Sequence, residues 1–234
     1  LAFLADSGVP LYYVSTAYIA GRRHGRVLET ELYRNQEFNN TYERSKCEAE
    51  RLVRAAMADG HIRAAIFRPG IIVGESTDGR ITQFLNFYSF LRMLDILSAR
   101  KRAESTPLRI AANPLGTKNL VPADWTAKAL WQIIEAEGPS SHTYHLTNPR
   151  PVTHGSLLDW ANGLLGRKGL SLEFVEEVGQ DATSLEEACR AAFSHYSPYL
   201  HGEPRFDRTN TERALAGSLP FPEVGPDLYT TLLA

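Results

Sequence analysis

Apolar positions along this chain come in two rhythms that alternate. Short β-rich runs, such as Leu11-Tyr12-Tyr13-Val14, Ile62 to Phe67, the stretch near 108–111, Thr143 to Thr147 and the stretch near 171–177, have the look of strands. Between them lie longer segments with helical spacing, over about 41–59, 123–136, 153–165 and 182–193, and from 209 to a stop at Gly217, with a short helix at the end. Thr153 reads as an N-cap, Asp59-Gly60 as a C-terminal stop, and Asp124 as a first-turn carboxylate that suits the helix dipole. Strands alternating with helices predict an α/β chain with a parallel sheet. The stretch 76–106 departs from the alternation: after a polar start it carries Phe84, Leu85, Phe87, Tyr88, Phe90, Leu91, Met93 and Leu94. It reads as an aromatic-rich helix, either packed in a core or lining the path of an apolar substrate.

Three places in this pattern carry chemistry. The first strand follows Gly8-Val9-Pro10 and ends in Ser15 and Thr16, and in open α/β sheets ligands bind beyond the carboxyl ends of strands. The helix from 41 then sets Tyr42 and Lys46 four residues apart, so both side chains lie on one face. A phenol titrates near 10 and is a poor acid at neutral pH. An adjacent ammonium favours the phenolate and brings the group into working range. The same spacing also describes a plain helix start with a surface tyrosine and a solvated lysine. The strand near 62–67 runs into Arg68-Pro69-Gly70, where proline fixes a turn and glycine admits close approach. Arg68 either belongs to that ligand-facing turn or pairs with a carboxylate.

In this order the segments Val14-Ser15-Thr16-Ala17-Tyr18-Ile19-Ala20-Gly21, Tyr42-Glu43-Arg44-Ser45-Lys46-Cys47-Glu48-Ala49-Glu50, Arg68-Pro69-Gly70-Ile71-Ile72-Val73-Gly74, Asn119 to Trp125 and Thr143 to Pro149 resemble the extended short-chain dehydrogenase/reductase superfamily. The nearest likeness is to its thioester-reductase-like and fatty-acyl-reductase branch, which includes the male-sterility-type NAD-binding domains. The likeness runs over about residues 1–160. It implies an oxidoreductase that reduces a carbonyl, an acyl thioester or an aldehyde, with hydride from a nicotinamide cofactor. It favours NADP over NAD. It makes Tyr42 the proton donor, Lys46 the residue that tunes Tyr42 and holds the nicotinamide ribose, and Thr16 the holder of the substrate carbonyl. Ser15 and Tyr18 are implied at the substrate, and Ser15, Arg68, Pro69 and Gly70 at the cofactor. Epimerases, dehydratases and hydroxysteroid-type dehydrogenases of the superfamily use the same three residues. A non-catalytic binding module derived from the fold is the alternative of a different class.

The superfamily opens with a strand, a G-x-G-x-x-G turn and a helix that holds the pyrophosphate, and no such turn is present here. The expectation is therefore the C-terminal portion of a Rossmann-type doubly wound parallel sheet, with residues 1–75 and 107–165 as partial core. Residues 76–106 and 166–234 are expected to form a smaller α/β substrate-binding part. The first strand should then present an edge, covered by an upstream half or by a second copy.

Composition narrows the partners. A net charge of −2 gives no basic footprint for nucleic acid. No apolar run approaches the ~20 residues of a membrane span. The two cysteines, Cys47 and Cys189, have no metal-site spacing and fit a reducing, cytoplasmic setting. The seven histidines form no ligand cluster by spacing, so no metal is expected. The partner expected is a small-molecule or acyl substrate, free or bound to a carrier.

Overall fold

A computed structural model describes residues 1–82, 88, 107–165, 171–192, 194 and 196–233. In chain order the elements are α1 (Ala2–Ser7), β1 (Leu11–Val14), β2 (Arg26–Val27), α2 (Thr41–Ala58), β3 (Ala64–Pro69), β4 (Ile71–Val73), β5 (Leu108–Ala111), β6 (Thr117–Lys118) and β7 (Leu120–Pro122). They continue with α3 (Ala123–Glu137), β8 (Thr143–Leu146), β9 (Val152–Thr153), α4 (His154–Leu165), β10 (Leu172–Val175), α5 (Ser184–Ala192), β11 (Arg205–Phe206), α6 (Thr209–Leu215) and α7 (Pro226–Leu233). The aromatic helix expected over 84–94 lies, apart from Tyr88, outside the described residues.

The chain divides into two compact units. The first comprises Leu1–Ile72, Asn119–Arg150 and Pro204–Pro222; the second comprises Val73–Lys118, Pro151–Glu203 and Glu223–Ala234. The partition differs from the expected one mainly over residues 107–118, 151–165 and 204–222; 151–165 lie in the second unit because β9 pairs with β6 and α4 packs on β10. Residues 107–118 join the second unit because β5 pairs in parallel with β10, from Leu108 beside Leu172 to Ala111 beside Val175. Residues 204–222 join the first because α6 packs on α3 and β8.

The first unit is built on a parallel three-stranded sheet in the order β1-β3-β8. The central strand β3 is buried along its whole length, as a strand flanked on both sides and covered on both faces must be. On one face Ala65, Phe67, Tyr144 and Leu146 pack against Trp125, Ala129 and Ile133 of α3 and Leu215 of α6. On the other, Ala64 and Ile66 meet Ile62 and Val53 of α2, with Leu11 and Tyr13 of β1 against them. β1 has one neighbour, β3, among the described residues. Leu11, Tyr12 and Tyr13 are half-buried and Val14 is exposed. The edge expected from the sequence is therefore at β1.

Helix α2 starts where its sequence dictates. Asn40 caps it by accepting from the Glu43 amide at 2.9 Å, and Glu43 reaches back to accept from the Asn39 amide at 2.8 Å. The helix ends at Asp59, after which Gly60 takes φ +72°, a left-handed turn suited to glycine. Its buried stripe is Glu43, Cys47, Glu50 and Val53, so two carboxylates lie on the inner face.

The second unit carries the β5–β10 pair and the antiparallel β6–β9 pair. Thr153 accepts from the Ser156 amide at 3.1 Å and begins α4 as expected. Arg109 on β5 makes paired contacts with Glu186 of α5, whose carboxyl it holds well below the usual range. No helix among the described residues is long and apolar enough to cross a membrane.

Candidate active site

The carboxyl ends of β1, β3 and β8 bring most of the sequence-predicted residues into the first unit. Ser15 continues β1, its amide donating to Phe67 O at 2.7 Å. Thr16 then caps a 3-10 turn, Ala17–Ala20, by accepting from the Tyr18 amide at 3.2 Å. Thr16 is buried, and acceptance through its oxygen leaves its O–H to donate. Tyr18 packs edge-on to Phe206, with ring centroids 6.1 Å apart.

Tyr42 and Lys46 occupy the first turns of α2. Tyr42 is 56% exposed, open to a ligand from solvent. The Lys46 ammonium donates to Val14 O, the last carbonyl of β1, at 2.9 Å, and lies 5.0 Å from the centroid of the Tyr13 ring. The lysine is thus tied to the strand end beside Ser15 and Thr16. Burial pushes its ammonium below the usual lysine range, and Glu50 opposes that shift. Burial pushes the Tyr13 phenol up, with Glu50 and Tyr42 adding to it.

Arg68 is spent differently from a ligand contact. It is fully buried, and its guanidinium grips Glu50 through Nη2 to Oε1 at 2.6 Å and Nε to Oε2 at 3.1 Å. Nη2 also donates to Glu31 O at 2.7 Å, and Nη1 meets His145 Nε2 at 3.1 Å. The ion-pair alternative weighed for Arg68 is the geometry found. Because an arginine has only donors, His145 Nε2 must accept, and its Nδ1–H then donates to Asp207 O at 2.6 Å. Burial and the neighbouring guanidinium push His145 down to about 3, which keeps it neutral. Arg54 adds a second cation, with Nε 2.9 Å from Glu50 Oε1. Burial alone would raise the Glu50 carboxyl, but Arg68 and Arg54 outweigh it and hold it below the usual range. The Ser15 hydroxyl lies near enough to favour that ionised form, without a hydrogen bond of ordinary geometry.

Gly70 has a local reason to be glycine. A Cβ there would stand 2.6 Å from both Asn119 O and Asn119 Oδ1. Asn119 uses that space to clasp Asn148, accepting from its amide at 2.7 Å and donating to its carbonyl at 3.1 Å. Close approach was expected at Gly70; the close neighbour is Asn119, while Pro69 closes β3 beside Leu146.

Glu50, Arg54 and His145 were missed in the sequence, as was the buried Glu29, which accepts from the Asn210 and Thr211 amides at the start of α6. Glu50 and Arg54 left a signal, as the next steps of four after Tyr42 and Lys46. His145 and Glu29 become neighbours of the site only through the tertiary fold. No group of three His, Cys, Asp or Glu side chains among the described residues could hold a metal ion.

A nicotinamide dinucleotide can be tested against these groups. The Lys46 ammonium and the Thr16 hydroxyl at the end of β1, with the Tyr42 side chain exposed one turn earlier on α2, are of the donor types that hold a ribose diol and a carbonyl. Ser15 Oγ and Thr147 Oγ1, beyond β1 and β8, are buried with no hydrogen-bond partner among the described residues. The residues present fit the nicotinamide end.

Comparisons with known proteins place the chain in a family. The NAD-binding family described as Male sterility protein matches residues 1–130. The non-canonical nonribosomal peptide synthetase FrzA of a Cladobotryum species is 27% identical over 253 aligned residues, covering 95% of this chain and 23% of that protein. The terminal R domain from the myxalamid PKS-NRPS biosynthetic pathway is 25% identical with a TM-score of 0.69, covering 96% of this chain and 56% of that one. The thiolation-reductase di-domain of an archaeal non-ribosomal peptide synthetase shares the fold, at 16% identity and a TM-score of 0.65, over 98% of this chain and 57% of its own. The chain therefore spans under a quarter of that curated relative and just over half of those solved chains.

Proposed function

The chain belongs to the Male sterility protein family of NAD-binding domains, and from that premise we propose that it serves NAD(P)-dependent reduction of an acyl thioester, or of the aldehyde derived from it. Its family and fold are those of NAD(P)-dependent reductases and dehydrogenases. The observation that carries the reading is the meeting of Lys46, Thr16 and Ser15 at the end of β1, with Tyr42 exposed one turn before Lys46.

The bound nicotinamide supplies hydride, which no side chain can. Lys46 holds the ribose hydroxyls and presents a positive charge toward Tyr42. Thr16 donates its O–H to the substrate carbonyl and polarises it. As negative charge grows on that oxygen, Tyr42 delivers its phenolic proton there. The two hydroxyls thus form a small site for the developing oxyanion. Ser15 and Tyr18 flank the substrate. Pro69 and Gly70 shape the turn that passes the nicotinamide, and Arg68 supports that turn from beneath through Glu50. The likeness to synthetase reductase domains favours a carrier-bound thioester as substrate and the cytoplasm as its setting. NADP is the cofactor implied by the superfamily resemblance of the sequence.

The test is a panel of acyl thioesters, aldehydes and nucleotide sugars, with NADPH and NADH consumption followed by absorbance in the protein that carries this chain. Turnover of thioesters or aldehydes is expected. Turnover confined to the sugars would replace the reading with an epimerase or dehydratase.

A further inference from the structure

Glu50 takes no direct part in the chemistry just described, yet its carboxylate is held by two guanidinium groups. It follows Lys46 by four residues on the same helix, as Lys46 follows Tyr42. Its side chain is fully buried, and both oxygens are engaged, Oε1 by Arg54 and Arg68 and Oε2 by Arg68. Arg68 is fixed in turn by Glu31 O and by His145, and His145 by Asp207 O. The carboxylate therefore meets a clamp held by β3, β8 and two flanking segments, one turn of helix below Lys46.

We propose that Glu50 is a positioning residue of the Tyr42–Lys46 site: its carboxylate, clamped on Arg68, sets the rotation of α2 that lays Lys46 against the end of β1. The inference rests on the roles given to Tyr42 and Lys46 above. A helix with its side chains has a radius of about 5–6 Å, so a rotation of roughly 20° carries a side-chain tip about 2 Å. That would break the 2.9 Å bond from Lys46 to Val14 O. The other buried carboxylate of α2, Glu43, is tied back to Asn39 beside the helix start, and Arg54 joins the same cluster as Glu50, donating to it and to Thr143 Oγ1. Cys47 is buried with a thiol that burial pushes up, and Val53 packs on Ile62, Ala64 and Ile66. The apolar contacts at Val53 tolerate sliding, whereas a two-point guanidinium–carboxylate pair fixes angle as well as distance. The charged and titratable groups around Glu50 include Lys46, Cys47 and Arg54 on its own helix, Arg68 on β3, His145 on β8 and Tyr13 on β1.

The experiment reads Lys46 directly. The lysines, Lys46, Lys101, Lys118, Lys128 and Lys168, are dimethylated with a ¹³C label, and Lys46 is assigned by Lys46→Arg. In the wild type the Lys46 methyl signal should stand upfield of exposed Lys128, because the ammonium lies against the Tyr13 ring. Glu50→Asp keeps the charge that pairs with Arg68 but withdraws the carboxylate by one methylene. The Lys46 signal is expected to move toward the position of Lys128, and turnover to fall about tenfold with KM changed less than about twofold. Glu50→Gln, which keeps the shape, is read in the same way if Glu50→Asp does not fold. A Lys46 signal unmoved in either folded variant overturns the proposal, since a purely structural ion pair would leave the surviving folded molecules with a normal Lys46 contact. A moved signal with wild-type turnover supports the mechanical link and instead retires the catalytic reading of Lys46.

Discussion

Replacing Arg68 with methionine keeps much of the aliphatic volume of the side chain and removes its guanidinium. In the folded molecule that takes away both bonds to Glu50 and the donors to Glu31 O and His145 Nε2. Glu50 then stays buried with Arg54 as its one remaining cationic partner among those seen. Breaking one side of a buried pair costs about 3–5 kcal/mol, because the surviving charge keeps its desolvation and loses its compensation. Against a total stability of about 5–15 kcal/mol that is a large fraction. At roughly 2–4 °C per kcal/mol for a chain of this size, the melting temperature should fall by about 6–20 °C. Glu50→Leu/Arg68→Met removes the pair together and should recover most of the loss, since apolar replacement of a buried pair is often neutral or better. Arg54 keeps Thr143 Oγ1, Glu29 O and Thr30 O as acceptors in that variant. Urea unfolding followed by circular dichroism, with scanning calorimetry, measures all three proteins. A loss below about 1 kcal/mol for Arg68→Met, within the range of ordinary surface changes, would refute the buried clamp. Such a result combined with a tenfold loss of NAD(P)H affinity would return Arg68 to the cofactor.

Tyr42→Phe should leave stability within about 0.5 kcal/mol, because the side chain is exposed, while kcat falls by about 10²–10⁴. Near-normal turnover would remove Tyr42 from the chemistry. His145 has a folded pKa near 3, below the ordinary histidine value of about 6.5, so the unfolded chain binds its proton first. The stability it confers is complete above about pH 6.5 and is lost as pH falls from there toward 3; His145→Gln should flatten that limb of a stability–pH curve measured by urea unfolding. Glu50, with its carboxyl held down, contributes above the ordinary glutamate value of about 4.3 and loses that contribution as pH falls through its lower folded value. The edge at β1 predicts self-association of the chain in light scattering, and Val14→Lys should shift it toward monomer. Calorimetric titration of the chain by itself should show weak NAD(P)H binding, because no G-x-G-x-x-G turn is present to cradle the pyrophosphate; micromolar affinity would contradict that.

The sequence by itself determined the long helices, the main strands and the placing of Tyr42 and Lys46 on α2, but not short strands such as β2, β6 and β11. Asn40 and Glu43 start α2 through contacts made within the helix and the residue before it, and Gly60 ends it, so both limits are local and legible. The β-rich runs and the helical spacing gave the parallel α/β order for the same reason. Tertiary structure alone decided what each strand faces. Arg68 looked like part of a ligand-facing turn until β8 brought His145 beside it and α2 brought Glu50. The close approach expected at Gly70 is made by Asn119, far along the chain. Residues 204–222 gave no sign of joining the first unit, because α6 belongs there through packing on α3 and β8. Helix caps and turns are written in neighbouring residues, whereas a buried charge finds its partner across the sheet, at a separation that no local pattern records.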